Sequence, residues 1–303
     1  MMQKDKFITV LISEWFQFVI PDFILKGFES YCKREKSTDD KLVGPLRPEV
    51  AYSTAAIVLI VSSVEALKGR ILYLDGGDFK KFKKTPAPEL IAKKLSLTDP
   101  KFPGDFFRDT LAELFVVRDA ILHSHIWEIE RTYSEDFDIL SKTQNLMPGF
   151  GDSKYEKLVN LKSSKTKNLD LNVVPINIGF DDAFVALNVF DHFTSIGREI
   201  LKLNYMPPVN IVHPFDGKLK HLSLSDLICE IYNKLSDQNF LKRFKSILTK
   251  MKKIFGNYFT ESDLFINNTC PKCGEFGYKK PVRKYNCNKC GYEIVMKQKV
   301  IHL

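Results

Sequence analysis

The sequence predicts a mainly α-helical protein that ends in a small β module. Four stretches, 48–74, 106–127, 181–202 and 238–255, repeat apolar residues every three or four positions, which is the helical period. After them come two matching Cys-x2-Cys-Gly knuckles, Cys270-Pro-Lys-Cys273-Gly274 and Cys287-Asn-Lys-Cys290-Gly291. The chain has 303 residues, 44% of them hydrophobic, enough for a sizeable core and for two domains or one with an appendage. The expected organisation is a helical bundle over 1–205 with an irregular or β-hairpin insertion at about 131–178. A helical connector follows over 206–262, then the cysteine module over 263–303.

In chain order, Lys4 to Ile20 and Asp22 to Lys33 read as two helices separated at Pro21, because proline removes a helical hydrogen bond and clashes with the preceding turn. Phe7, Val10, Leu11, Trp15 and Phe18 form the first apolar stripe. Pro48 suits the first position of the next helix, and Asp75-Gly76-Gly77-Asp78 suits its end near Leu74. The middle of that helix is apolar nearly all round, so it should be the central core helix. Glu65 and Arg70 interrupt it. A carboxylate there can support a polar site near Arg118, or pair at the surface with Lys68 or Arg70; the surface pair is the simpler expectation. Phe79 to Lys84 is a basic loop in which Lys80 and Lys81 stand between aromatic rings. Pro88 to Leu95 is a short helix, and Pro100 to Gly104 turns the chain into the 106–127 helix. The insertion carries a short hairpin near 157–178. Asp181 or Asp182 caps the helix to Lys202, which should close the bundle with His192 as an ordinary core or surface histidine. Met206-Pro-Pro208 marks the boundary. Ser223 or Ser225 opens a helix to Leu235, and Gln238 to Phe255 forms a basic amphipathic one.

The formal net charge is +8, but it is not spread evenly. Residues 241–303 hold fourteen Lys plus Arg against four Asp plus Glu, whereas the rest holds 31 against 33. A local basic field of that kind suits a polyanion, with nucleic acid ahead of membrane. No secretory signal is visible. No unbroken apolar run reaches the ~20 residues a bilayer span needs. A cytoplasmic protein with no membrane partner is the expectation.

Zinc prefers four soft ligands in a tetrahedron, and each Cys-x2-Cys turn brings two sulfurs to one ion. Cys270, Cys273, Cys287 and Cys290 therefore make a closed, structural Zn2+ site of the zinc-ribbon kind. Strands are expected near 277–285 and 292–298. Lys279, Lys280, Arg283 and Lys284, interleaved with aromatics, suit RNA backbones and bases, as do Lys80 and Lys81.

The remaining signal is Arg118-Asp119-Ala-Ile-Leu-His123-Ser-His125. On a helix Asp119 and His123 share a face, Arg118 and His123 lie roughly 140° apart, and Arg118 and His125 share a face. Arginine offers a planar fork for phosphate, and histidine a base near neutral pH. Arg118-Asp119-x3-His123 resembles the Arg-polar-x3-His motif of the HEPN superfamily, and the apolar run Ala55 to Leu67 looks like that family's early core helix. The resemblance covers roughly residues 50–205.

The resemblance implies a helical bundle that cuts RNA without a catalytic metal, through attack by the ribose 2′-hydroxyl. His123 would be the base, Arg118 the phosphate grip, and Asp119 the residue that orients His123. His125 is the alternative base, since some members space Arg and His by six residues. The resemblance also implies a homodimer with a composite site, a prokaryotic defence or toxin role, and an inhibitory partner protein. The competing expectation is a non-catalytic RNA-, nucleotide- or DNA-binding adaptor built on the zinc ribbon. No P-loop, dinucleotide-binding glycine pattern, His-Glu-x-x-His or Gly-x-Ser-x-Gly is present.

Overall fold

The computed structural model describes residues 2–36, 45–76, 84–123, 127–133, 139–146, 153–201, 210–215, 218–235, 237–255, 258, 278–279, 284–287 and 293–295. For residues 2–18 and 210–223, for the 127–146 hairpin and for everything after 258, the description is of the backbone alone. The molecule is mainly helical. Its helices are α1 (Met2–Glu35), α2 (Arg47–Leu74), α3 (Ala87–Thr98), α4 (Gly104–Leu122), α5 (Ser153–Leu158), α6 (Phe180–Leu201), α7 (Leu224–Tyr232) and α8 (Gln238–Phe255). Its strands form small antiparallel sheets: β1 (Trp127–Tyr133) with β2 (Ile139–Leu146), β3 (Val159–Asn160) with β4 (Lys165–Thr166), β5 (Asn210–Phe215) with β6 (Lys218–Ser223), and a meander of β7 (Tyr278–Lys279), β8 (Lys284–Cys287) and β9 (Glu293–Val295).

α1 is one helix, not two. Pro21 lies inside it and is itself buried. A proline costs the helix one hydrogen bond, and the turns that follow recover it by burying Ile20, Ile24, Phe28 and Tyr31. α2 begins with Pro48 in its first turn and ends at Asp75, beyond which Gly76 adopts a positive φ of 67°. That left-handed residue is where a glycine costs least. By length and composition α2 is the one helix among the described residues that could cross a membrane, and 44% of its apolar window is buried inside the fold. In the fold its Ala56, Ile57, Ile60, Val61 and Val64 are core residues.

α6 is the most enclosed element. Phe180, Ala183 to Leu187, Val189, Phe190, Phe193 and Ile196 are all buried, as are the polar residues Asp182, Asn188, Asp191, His192 and Thr194. It therefore sits inside the bundle rather than closing it, because α8 covers its outer side. Phe184 packs on Phe240 and Phe244, with ring centroids 5.9 and 5.2 Å apart. At the other end Phe255 meets Phe102, Phe107 and Phe193. The helices after residue 206 thus share the core of the bundle. The 205/206 boundary separates stretches of chain, not two hydrophobic interiors.

The insertion contains two hairpins. β3–β4 lies inside the expected 157–178 segment and pairs Val159 with Thr166. β1–β2 takes residues 127–133 that the sequence reading gave in part to a helix, pairing Trp127 with Leu146. The hairpin β5–β6 was not anticipated; its register runs from Asn210 opposite Ser223 to Phe215 opposite Lys218.

Candidate functional site

α4 buries Phe107, Thr110, Leu111, Leu114, Val117 and Ala120 against the core. That face leaves Phe115, Arg118 and Asp119 at its margin, half-buried. The guanidinium of Arg118 is held on three sides. Its Nε donates to Asp119 Oδ1 at 2.8 Å, its Nη1 donates to Glu65 Oε1 of α2 at 3.2 Å, and its carbon lies 5.2 Å from the centre of the Phe115 ring. Glu65 is therefore a partner of Arg118, and its charge also acts on Lys68, as the surface reading expected. Such half-exposed pairs contribute at most about 1 kcal/mol each to stability. Their effect is to restrain a long side chain in one orientation. Among the described residues Nη2 of Arg118 has no acceptor.

The helix ends one turn sooner than the sequence suggested. His123 is its C-cap, with φ −116° and ψ 64°, and its backbone N–H donates to the Asp119 carbonyl at 2.8 Å. Its side chain is exposed. The chain leaves the helix here because Trp127-Glu-Ile-Glu-Arg-Thr-Tyr133 is recruited by β2. Asp119 thus touches both candidate residues, Arg118 through its carboxylate and His123 through its main chain. His125 lies outside the described residues. With both carboxylates ionised, one copy of the cluster carries net charge −1 when His123 is neutral and 0 when it is protonated.

Of the candidate RNA-binding residues, Lys279 lies in β7 and Lys284 in β8, while Lys80, Lys81, Lys280 and Arg283 fall outside the described residues. Cys287 ends β8, opposite Tyr278; Cys270, Cys273 and Cys290 also fall outside. The short meander β7–β8–β9 occupies part of the region where strands were expected. Among the described residues no three His, Cys, Asp or Glu are grouped to hold a metal.

A second polar cluster was not singled out from the sequence. Arg243 of α8, largely buried, pairs with Asp170 (Nε to Oδ2, 3.0 Å), with Asp182 (Nη2 to Oδ1, 2.8 Å) and with Asp181. Asp182 also accepts from the Asn172 and Gly179 N–H groups, at 3.1 Å each. It thus fastens the loop to the start of α6. Beside it Glu113, fully buried on α4, accepts from the Asn168 and Leu169 N–H groups at 2.7 and 2.8 Å. Burial pushes the Glu113 carboxyl up to about 7, against the pull of those two bonds. The available signal was Arg243 beside the Phe240, Phe244 and Ile247 stripe, where an unpaired cation would be costly.

No protein-family model matches this chain, and no curated protein or solved structure shows significant similarity to it.

Proposed function

We propose that the protein is a metal-independent endoribonuclease of the HEPN kind. What supports this reading is the restraint on Arg118. A guanidinium fixed by Asp119 and Glu65 over Phe115 stands one helical turn from an exposed His123. In the mechanism, His123 takes the proton from a ribose 2′-hydroxyl. The oxygen attacks the adjacent phosphorus, the bond to the 5′-oxygen breaks, and that oxygen takes up a proton from solvent. Arg118 binds the phosphate and offsets the charge that grows on its oxygens. Asp119 holds Arg118 and anchors the main chain of His123. DNA, which has no 2′-hydroxyl, is not cut. Cys270, Cys273, Cys287 and Cys290 would hold a structural zinc ion, which supplies folding energy and no chemistry.

The same resemblance carries a homodimer in which two copies of the turn meet in one cleft, a defence or toxin role, and an inhibitory partner protein; a cytoplasmic setting belongs to the same proposal. One copy of the cluster is not cationic and a second copy adds no net positive charge, so phosphate binding requires positive charge from lysines such as Lys80 and Lys81.

The two carboxylates on Arg118 favour one other reading, in which the arginine is structural and the chain binds RNA, nucleotide or DNA without cutting it. Separate His123→Ala and His125→Ala proteins decide both questions in an RNA cleavage assay. The proposal expects His123→Ala to lose cutting and His125→Ala to keep it. Loss in His125→Ala alone moves the base to His125. No cutting by the unaltered protein leaves the binding role.

A further inference from the structure

We infer that the groove between α8 and the loop after β4 is a phosphate-binding site, separate from the Arg118 turn and independent of the ribonuclease reading. The groove has a volume of about 530 Å³, and its walls include Lys167, Asn168, Asp170, Lys242, Ser246 and Lys250. The α8 residues recur at three- and four-residue intervals, so they form one stripe facing the loop. Arg243 also lines the groove, but its charge is taken by Asp170, Asp181 and Asp182. The three lysines differ. Among the described residues none of them has a carboxylate partner within ion-pair distance. Lys250 Nζ donates to Asn168 Oδ1 at 2.7 Å, and Lys167 Nζ donates to the Glu156 carbonyl at 2.9 Å, so two ammoniums are oriented by neutral oxygens. Lys242 is exposed at the same rim. Three lysines without a direct ion-pair partner among the described residues, set around a concave surface with amide and hydroxyl groups between them, suit the oxygens of a phosphate.

The loop side of the groove is rigid by construction. Glu113 fixes Asn168 and Leu169 from below, and Asp182 fixes Asn172. The main chain of that wall is therefore held in place without a ligand, which lowers the ordering cost of binding.

The phosphate can come from a nucleic-acid strand or from a free nucleotide. The test uses the full chain with two probes: a fluorescein-labelled 2′-deoxyuridine 12-mer, which a 2′-hydroxyl mechanism cannot cut, and ATP. Lys242→Glu and Ser246→Glu each place a carboxylate in the groove at an exposed position, and thermal melts check that they fold. Weakening of 12-mer binding by about five- to tenfold in both variants, with a salt dependence shallower by about one contact, supports the site with a strand as its ligand. Unchanged 12-mer binding with weakened ATP binding supports it with a nucleotide as its ligand. If neither probe binds the unaltered protein, or if neither is weakened by the substitutions, the inference is overturned. Weakening of 12-mer binding in Arg118→Ala reports on the Arg118 turn alone, whereas weakening in Lys242→Glu and Ser246→Glu reports on the groove, which keeps this result distinct from the fate of the ribonuclease proposal.

Discussion

Glu113 shows how a single carboxyl is made to serve two ends. It has no exposure, and both its oxygens accept main-chain N–H groups of the loop after β4. Burial raises it from an ordinary 4.5 to about 7. A carboxyl that binds its proton more tightly in the folded chain than in the unfolded one stabilises the fold at low pH. That contribution is complete below 4.5, declines as pH rises through the interval to about 7, and is gone above it. The interval corresponds to about 3 kcal/mol. Urea unfolding at pH 5 and pH 8 should therefore show a decline with pH that Glu113→Gln reduces by most of that amount. The amide loses one of the two accepted bonds, so Glu113→Gln should also carry a pH-independent cost of about 1–3 kcal/mol. An identical pH dependence in the two proteins would contradict this assignment. At the Arg118 turn, the motif residues themselves were visible in the sequence. Their restraint was not, because Glu65 lies 53 positions from Arg118 and only packing of α2 against α4 brings them together.

The elements divide by how much of their cause is local. α8 runs from Gln238 to Phe255 as its stripe of Phe240, Phe244, Ile247, Leu248, Met251 and Phe255 required, since amphipathic period and burial agree. α2 was equally legible from Pro48 and Gly76. Three elements were misread or missed for identifiable reasons. Pro21 looked like a break, yet tertiary burial on α1 outweighs the loss of one hydrogen bond. Residues 127–133 follow an uninterrupted helical pattern, so the switch to period two was hidden by its neighbour; β2 supplies what settles it. The β5–β6 hairpin carried a usable signal in Asp216-Gly217, a dipeptide suited to tight two-residue hairpins, flanked by Ile211 and Leu222 in register. Pro214 is accommodated because this two-stranded sheet has only edges, where proline is tolerated.

At the scale of the whole molecule, one interior joins segments that the sequence distributes over two regions. Phe255 lies near the C-terminal end of that interior and contacts Phe102, Phe107 and Phe193 from α3–α4 and α6. Phe255→Ala should lower stability by about 3–5 kcal/mol, as for other large buried rings. It should do so in a single transition followed by helical circular dichroism and by tyrosine and tryptophan fluorescence alike. Two separated transitions, with only the later helices lost first, would show that residues after 206 pack as an independent unit. The same interior positions the two functional candidates on different surfaces: the Arg118 turn at the α2–α4 margin, and the lysine groove between α8 and the loop that Glu113 and Asp182 hold.

The central claim is that Arg118 and His123 cut RNA through its own sugar oxygen. The direct measurement is product analysis of a defined RNA oligonucleotide incubated with the purified chain in EDTA, with zinc content checked so that the cysteine module stays loaded. The account predicts fragments ending in 2′,3′-cyclic phosphate, no cutting of the 2′-deoxy oligonucleotide, and loss of product in Arg118→Ala and His123→Ala. Cleavage that needs an added divalent metal, that proceeds on the deoxy strand, or that continues undiminished in Arg118→Ala would contradict it.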